Sequence, residues 1–319
     1  MLVHFRVVRL RFAIAPQERL SLPRYMASTL RGGFGAVFKG LVCVYDARST
    51  PCQPCLLRHT CPYGAIFETA PPPGSQVLRG LANVPRPFVL EPPLDGKSRY
   101  DLGDTLEVGL VLIGRAIAYL PYFLVVLQEL GRAGLGAARG RFTVKTVHGV
   151  NPLTGAESLV YQEGRVLPSE AEMGTGFPEV QEAATRMHLR DEITLRFLTP
   201  TRLVDNEKLV AKPEFRVLIR ALLRRISSLA YFHCGERWGL DFRQVKEEAG
   251  QVRLARSDLR WWDWARYSAR QQAQMKLGGF AGEVTYSGPV QPFLPLLLLG
   301  TAIHVGKACT FGHGRYEIA

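Results

Sequence analysis

The chain has 319 residues, 47% of them hydrophobic, so it can bury a large core, and its length alone favours two domains. Its formal net charge is +12, and only eight of its 40 basic residues are lysines. This charge favours a polyanionic partner such as nucleic acid, although an arginine-biased genome would give the same composition. Because no Ser-His-Asp arrangement, P-loop or paired-carboxylate motif stands out, hydrolase and nucleotide-binding interpretations have little support.

The first residues, 2–12, alternate apolar with basic side chains. This pattern is typical of a strand and not of the apolar block of a signal peptide. The most apolar run, 293–305, contains Pro295 and is shorter than the roughly 20 residues that span a bilayer, so we expect a buried helix. We therefore expect a cytoplasmic protein with no membrane partner, in which metal-bound thiolates are favoured over disulfides.

Four of the six cysteines fall within nineteen residues that follow the first predicted helix: Cys43, Cys52, Cys55 and Cys61. One C-x2-C pair flanked by two further cysteines in a proline-rich loop is typical of a tetrahedral metal site. We predict a structural metal knuckle over 43–67 that holds zinc, with an iron–sulfur cluster as the less favoured metal. Two disulfides or four ordinary thiols are the alternatives.

The two halves of the chain repeat one pattern. An apolar helix that begins near Pro121 leads to a Gly-Arg-aromatic triplet at Gly140, and a second one near Pro295 leads to the same triplet at Gly314. Both intervals are nineteen positions. Apolar helices followed by glycine turns are common, but the identical spacing favours an internal duplication.

Each half also opens with a strand followed by a helix, and further strands fill the middle of each half. The predicted strands are 3–14, 106–113, 192–197, 261–271 and 280–286, and the first helices of the two halves are 23–41 and 213–234. A unit of strand, helix, two strands, helix and strand is the split β-α-β pattern. We therefore predict an α+β fold with domains at 1–165 and 186–319, joined by a polar linker around 164–185.

The segment 306–316 is rich in glycine, which lets backbone amides approach a phosphate without side-chain obstruction. We predict that this loop contacts RNA through Gly306, Lys307, Gly312, His313, Gly314 and Arg315. The alternative is that its glycines only permit tight turns beside the last strand. The corresponding loop of the first half, 131–140, is a weaker copy.

The predicted hairpin over 261–286 places Arg266, Arg270 and Lys276 along its strands, interleaved with aromatic residues. Basic side chains suit phosphates and aromatic rings suit base stacking, so we predict RNA contacts at these three residues. Core packing is the favoured alternative for the tryptophans of this hairpin. The helix over 213–234 carries a stripe of Arg216, Arg220 and Arg224, which is more often a solvated face than a binding surface.

Several segments of the C-terminal third, taken together, resemble one protein family. They are Arg266-Tyr-Ser-Ala-Arg270-Gln, Leu277-Gly-Gly-Phe-Ala-Gly282-Glu-Val, His304-Val-Gly-Lys307 and Phe311-Gly-His-Gly-Arg-Tyr316. The chain is similar to the CRISPR repeat-cleaving endoribonucleases of the RAMP superfamily, often called the Cas six family. Its cysteine-rich segment 43–68 resembles a cysteine-bearing branch of that family.

The resemblance implies two tandem ferredoxin-like, or RRM-like, domains that bind a CRISPR repeat RNA and cut it once per repeat. It also implies metal-independent chemistry, in which the 2′-hydroxyl attacks the adjacent phosphate and leaves a 2′,3′-cyclic phosphate and a 5′-hydroxyl. Other CRISPR effector subunits and a second copy of the chain are further expected partners. The rival interpretation is a non-catalytic RAMP subunit that holds crRNA in an effector complex.

Such an attack needs a base, an acid and a cation, and histidine is the usual proton carrier at neutral pH. Many members of the family place a histidine on or just after the first helix, but this chain has none between His4 and His59. We predict His304, beside the glycine loop, as the first catalytic candidate, followed by His59, with Tyr25 as a helper. A satisfied core histidine is the alternative for His304, and a metal ligand or brace is the alternative for His59.

Overall fold

The computed structural model of the protein describes residues 2–47, 49–71, 84–167, 174–189, 191–268 and 273–319, without the side chains of 265–276. Each half of the chain forms an antiparallel sheet. In the described part of the chain, no helix is long and apolar enough to cross a membrane.

The strands described in the first half are β1 (Arg6–Pro16), β2 (Leu20–Ser21), β3 (Phe88–Glu91), β4 (Arg99–Tyr100), β5 (Leu106–Ile113), β6 (Phe142–Val150), β7 (Glu157–Gln162), β8 (Arg165–Val166) and β9 (Thr175–Gly176). Its helices are α1 (Ala27–Val42), α2 (Pro62–Ile66), α3 (Leu120–Ala133) and α4 (Phe177–Arg186). The sheet order is β3-β5-β1-β6-β7-β8, with β9 paired to the start of β1. Strand β1 alternates along its length, and Leu10, Phe12 and Ile14 face the core formed with α1 and α3.

The strands described in the second half are β10 (Glu192–Thr201), β11 (Leu203–Asp205), β12 (Lys208–Val210), β13 (Arg253–Trp262), β14 (Ala265–Ser268), β15 (Ala273–Lys276), β16 (Gly279–Ser287) and β17 (Tyr316–Ile318). Its helices are α5 (Phe215–Leu229), α6 (Phe242–Ala249) and α7 (Leu294–Ile303). The main sheet has the order β13-β16-β10-β17. In both halves the four main strands thus lie in the spatial order second, third, first, fourth, joined as a split β-α-β unit requires.

Two details of the organisation differ from the expected pattern. The segment expected to be a polar linker contains β9 and α4, because Phe177, Val180 and Ala184 form an apolar stripe at helical spacing that is buried in the core of the second half. The second strand of the first half, β3, was not predicted, and all four of its residues are buried.

The duplicated segments are less alike than their equal spacing suggests. Helix α3 has 14 residues, whereas α7 has 10 and ends at His304. The strands that follow begin at Phe142 and Tyr316, so the loop after α7 is longer by the four residues that the helix lacks. The equal interval therefore conceals a shorter helix and a longer glycine-rich loop.

The two halves share apolar packing. The core of the second half includes Val7, Val111 and Ile113, which belong to the sheet of the first half. Helix α7 contacts both β1 and β5. The loop that follows α7 therefore lies at the junction of the two halves.

We expect Gly300→Ala to lower the free energy of unfolding by about 1–2 kcal/mol, because a methyl group in α7 would meet the Tyr316 hydroxyl and Leu222 Cδ2, the latter at 2.7 Å. Overpacking costs about 1–3 kcal/mol, and the gain in helix propensity offsets up to about 1 kcal/mol. Urea-induced unfolding checks this expectation. Gly32→Ala, in α1, is the control and should stabilise slightly, since no atom lies within 4 Å of the added methyl group. Equal stability of the two variants would contradict the packing argument.

Candidate functional site

A buried carboxylate lies at the junction of the two halves. Glu91, the last residue of β3, is only 4% exposed. Arg9 of β1 donates to it from Nε to Oε2 and from Nη2 to Oε1, both at 3.1 Å. His304 donates from Nε2 to Oε1 at 2.8 Å, and Arg315 Nε lies 3.8 Å from the same oxygen. These four residues, here called the Glu91 network, join the first half to the second.

The charge state of Glu91 follows from these contacts. Burial alone would raise the pKa of its carboxyl group, but the hydrogen bond from His304 and the charges of Arg315 and Arg9 outweigh it and hold the pKa far below its usual range. The neighbouring strand leaves room for the side chain, because a Cβ at Gly109, directly opposite on β5, would lie 2.8 Å from Glu91 Cβ. The network therefore holds an ionised carboxylate inside the protein.

His304 has an unusual backbone conformation. It caps α7 with φ 65° and ψ 171°, a region that is essentially restricted to glycine and costs about 1–3 kcal/mol for other residues. The residue that ends α3 with a similar conformation is Gly134. His304 is fully buried, its Nδ1 lies 3.0 Å from the His313 carbonyl oxygen, and burial lowers its pKa against the opposing effect of Glu91. Both ring nitrogens thus face acceptor oxygens, and the predicted catalytic role of His304 stays a prediction.

The glycine-rich loop is folded against both halves of the chain. Gly312 and Gly314 are buried, and a Cβ at Gly312 would lie 2.5 Å from Pro92 Cδ of the first half. Gly314 N donates to Pro200 O at 3.1 Å. Among the predicted RNA contacts of this loop, the more accessible ones are Gly306 and Arg315, which are half-buried, and Lys307, which is exposed. Arg315 also lines a cavity of about 550 Å³ beside the Glu91 network.

A second group of side chains lies beside the loop, and we call it the interdomain cluster: Tyr25, Arg31, Trp264, Phe311 and His313. Tyr25 Oη donates to Phe311 O at 3.2 Å, and its ring centroid lies 5.7 Å from that of His313. The Arg31 guanidinium lies 5.2 Å from the Phe311 ring centroid and 4.9 Å from that of Phe67. The cluster thus brings an imidazole, a phenol and a guanidinium together.

His313 differs from His304 in its partners. It is fully buried, and neither ring nitrogen has a hydrogen-bond partner among the residues that the structure describes. Burial, helped by the charges of Arg202 and His304, lowers the pKa of His313 to about 3. Its imidazole is therefore neutral at pH 7, and both of its ring nitrogens remain available.

The cysteine-rich segment forms an insertion between α1 and β3. Cys43, Cys52, Cys55 and Cys61 carry free thiols and line one pocket of about 30 Å³, about the volume of one water molecule. Burial raises the pKa of Cys52. No group of three or more His, Cys, Asp or Glu side chains in the described ranges is arranged to hold a metal ion. The donor chemistry fits zinc, but the thiols are not arranged around an ion, and His59 is exposed outside this pocket.

The edge strand β13 exposes basic and aromatic side chains. Arg253, Arg256 and Arg260 are exposed along it, and Trp261 and Trp262 at its end are 42% and 37% exposed. The chain continues into the β14–β15 pair, whose backbone carries Arg266 and Lys276. Arg270 lies outside the described residues. The predicted RNA contacts of this hairpin stay predictions.

Sequence reasoning missed two residues that organise the junction, Glu91 and Arg9. Arg9 belongs to the alternating first strand and was treated only as part of its polar face. Glu91 ends a short buried strand, and an acidic residue among apolar neighbours is the one local signal that marked it.

Two family models and one curated relative match parts of the chain. Residues 195–316 match the family model for the CRISPR-associated endoribonuclease Cas6, and residues 5–172, more than half of the chain, match the AF_1859 N-terminal domain model. An uncharacterized protein of Archaeoglobus fulgidus is 33% identical over 116 residues. That match spans 36% of this chain and 37% of the relative's length.

Solved structures show the same fold. A Cas6 product complex matches with a TM-score of 0.59 and 18% identity over 98% of this chain and 99% of that one. A Thermus thermophilus Cas6 matches with a TM-score of 0.56 and 16% identity over 99% of both chains. A chain of a partial Cas6-RT-Cas1–Cas2 complex matches with a TM-score of 0.62 and 12% identity over 100% of this chain but only 47% of its own length.

We expect Glu91→Gln to lower the free energy of unfolding at pH 7 by about 2–4 kcal/mol, because it leaves the partly buried charges of Arg9 and Arg315 without their carboxylate. Glu107→Gln is the matched control. Glu107 pairs with Arg11 but is 54% exposed, so its loss should cost less than about 1 kcal/mol. Urea unfolding of both variants measures the difference.

The pH dependence of this effect has a defined sign. Because the pKa of Glu91 is lowered by folding, its stabilisation is fully present above the unfolded-state value of about 4.3 and is lost as the pH falls below it. The difference in the free energy of unfolding between wild type and Glu91→Gln should stay constant from about pH 7 to pH 5 and should decrease below about pH 4.5. A gap that is independent of pH would contradict an ionised Glu91.

Proposed function

We propose that this chain is a member of the Cas6 family of CRISPR-associated endoribonucleases, and that it cleaves CRISPR repeat RNA and releases crRNA. The observation that carries the proposal is the match of residues 195–316 to the Cas6 model, which includes the glycine-rich loop and the hairpin. The net charge of +12 supports a nucleic-acid substrate. We assign both halves to the ferredoxin-like fold, and their common strand order supports this assignment.

The RNA would lie along β13 and the hairpin that continues it. Exposed arginines on this edge strand suit phosphate contacts, and Trp261 and Trp262 suit base stacking. Arg266, Arg270 and Lys276 would extend the same basic surface. Lys307 and Arg315 of the glycine-rich loop would contact the strand near the junction of the halves.

The reaction that we propose is metal-independent. A base removes the proton of the 2′-hydroxyl, whose oxygen attacks the adjacent phosphorus. The bond from phosphorus to the 5′-oxygen breaks, and a donated proton completes the 5′-hydroxyl while a 2′,3′-cyclic phosphate remains. The interdomain cluster supplies the residue types that this sequence of proton transfers needs.

Within the cluster we assign the base to His313, because it is neutral at pH 7 and its ring nitrogens are available. A phosphate beside the ring would raise its pKa from about 3 toward neutrality, since an opposite charge favours the protonated form. Burial raises the pKa of Tyr25, so its hydroxyl stays protonated and acts as a hydrogen-bond donor. Arg31 would offset the charge on the phosphorane. Bound RNA must displace Trp264, whose ring centroid lies 4.9 Å from that of His313.

The first test is cleavage of labelled repeat RNA in EDTA, with a control RNA that carries 2′-deoxyribose. We expect one cut per repeat that requires the 2′-hydroxyl. His313→Ala should slow single-turnover cleavage at least ~100-fold with little change in Kd, while His4→Ala, at an exposed position, should leave the rate unchanged.

The same assay separates the other candidates. We expect His59→Ala to cleave normally and His304→Ala to lose stability together with rate, because His304 braces Glu91. Full activity of His313→Ala, with a ~100-fold loss in His59→Ala, would return the catalytic role to His59.

A crRNA-holding subunit without nuclease activity is the second candidate function, and it is favoured by one observation: α1 contains no histidine. Tight binding of repeat RNA with no cut would establish it. Other CRISPR proteins are proposed partners in either case, and the similarity to a chain of a partial Cas6-RT-Cas1–Cas2 complex supports this proposal. A homodimer stays a prediction.

We also propose that the cysteine-rich insertion holds a structural zinc ion through Cys43, Cys52, Cys55 and Cys61, and their common pocket supports this. The ion would fix the insertion and take no part in cleavage. Wild-type protein should contain about one zinc per chain. Changing both Cys52 and Cys55 to Ser should remove the metal and lower the melting temperature, while Cys234→Ser, outside the pocket, should retain it. Less than about half an equivalent of zinc would contradict the proposal, and a brown, iron-containing protein would indicate an iron–sulfur cluster.

A further inference from the structure

A small basic pocket opens between α5, β11 and the glycine-rich loop. Arg202, Arg220, Arg224 and Lys307 line it together with Gly306, and its volume is about 90 Å³. A pocket of this size is sufficient for a tetrahedral oxyanion such as phosphate. Four cationic side chains and no carboxylate are among its described lining residues.

The four cations differ in their partners. Arg220 donates to Asp205 Oδ1 at 2.6 Å and to Val204 O at 2.9 Å, and Arg202 donates to Gly278 O. Arg224 and Lys307 are exposed, and the structure gives neither side chain an ion pair or hydrogen bond among the described residues. The pocket thus carries two cations that no carboxylate neutralises.

The walls of the pocket are fixed to each other. Lys307 N donates to Arg202 O at 3.0 Å, which ties the glycine-rich loop to the start of β11. Gly306 has φ 91°, and a Cβ there would lie 2.5 Å from Arg202 O, so the loop can approach this closely only with glycine. The backbone of the loop at Gly306 and Lys307 is therefore fixed beside Arg202 before any ligand binds.

We infer that this pocket binds one internal phosphate of the RNA backbone. The inference rests on the proposed function, since it names a subsite for the same substrate. A guanidinium fork and an ammonium group are complementary to phosphate oxygens. The pocket lies close to the interdomain cluster along the chain, because Gly314, next to His313, donates from N to the carbonyl oxygen of Pro200, two residues before Arg202. A phosphate held here would position the strand next to the site of cleavage.

The test compares the double variant Arg224→Ala/Lys307→Ala with Arg216→Ala. Arg216 belongs to the same arginine stripe of α5 but is paired with Glu214 and lies outside the pocket. In repeat-RNA binding at ~0.1 M salt, the double variant should bind about 10-fold more weakly. Its plot of log affinity against log salt should be shallower by about 0.7–0.9, the value for one released phosphate contact. Arg216→Ala should stay within about 2-fold of wild type.

A scan with single uncharged methylphosphonates identifies the phosphate. With the wild-type protein, a methylphosphonate at one internal position should weaken binding by about the same factor as the double variant does. With the double variant, the same methylphosphonate should cause no further loss of affinity. A double variant that binds like Arg216→Ala, or an effect that follows a terminal phosphate, would overturn the inference while wild-type cleavage stands. Failure of wild type to bind repeat RNA at all would instead overturn the proposed function.

Discussion

The junction of the two halves depends on one buried charge. An ionised carboxylate inside a protein is strongly unfavourable unless it is paired and hydrogen-bonded. Glu91 therefore requires its cationic partners to stay in place around it. Its partners come from both halves of the chain, with Arg9 on the first and His304 and Arg315 on the second. Separation of the halves would leave the carboxylate without two of its partners. The network therefore sets how the glycine-rich loop lies against the first half.

The loop consequently has two sides with different roles. Its inner residues, Gly312 and His313, are buried at the junction, where the His313 carbonyl also positions His304. Its outer residue Lys307 is exposed beside the basic pocket. The sequence pattern suggested phosphate contact for the whole loop, but close approach of backbone to backbone explains the inner glycines. The inner glycines thus allow the backbones of the two halves to approach each other closely.

Most of the order of strands and helices, apart from β3 and α4, could be predicted because its signals are local. Alternation in β1, the proline that starts α7 and the repeated Gly-Arg-aromatic triplet each lie within a few residues of the feature that they specify. The junction could not be predicted in this way. Glu91 is 82 positions from Arg9 and 213 from His304, and no periodicity connects them. The lack of hydrogen-bond partners at the His313 ring nitrogens, among the described residues, is likewise a property of tertiary packing. The sequence therefore could not indicate that His313, and not His304, has unpartnered ring nitrogens.

The asymmetry between the repeated halves explains how the site arises. After α3, the loop of the first half returns at once to its sheet, and Gly136 and Gly140 pack against the backbone oxygens of Ser21 and Arg19 within the same half. In the second half, α7 has 10 residues against the 14 of α3, and the loop that follows is longer by the difference. This longer loop contacts Pro92 and Glu91 of the first half. The lost helical turn is unfavourable by itself, and so is the backbone conformation of His304. Both accompany the hydrogen bond from His304 to the Glu91 carboxylate, which joins the loop to the first half. The longer loop of the second half thereby reaches the first half and forms the interdomain site.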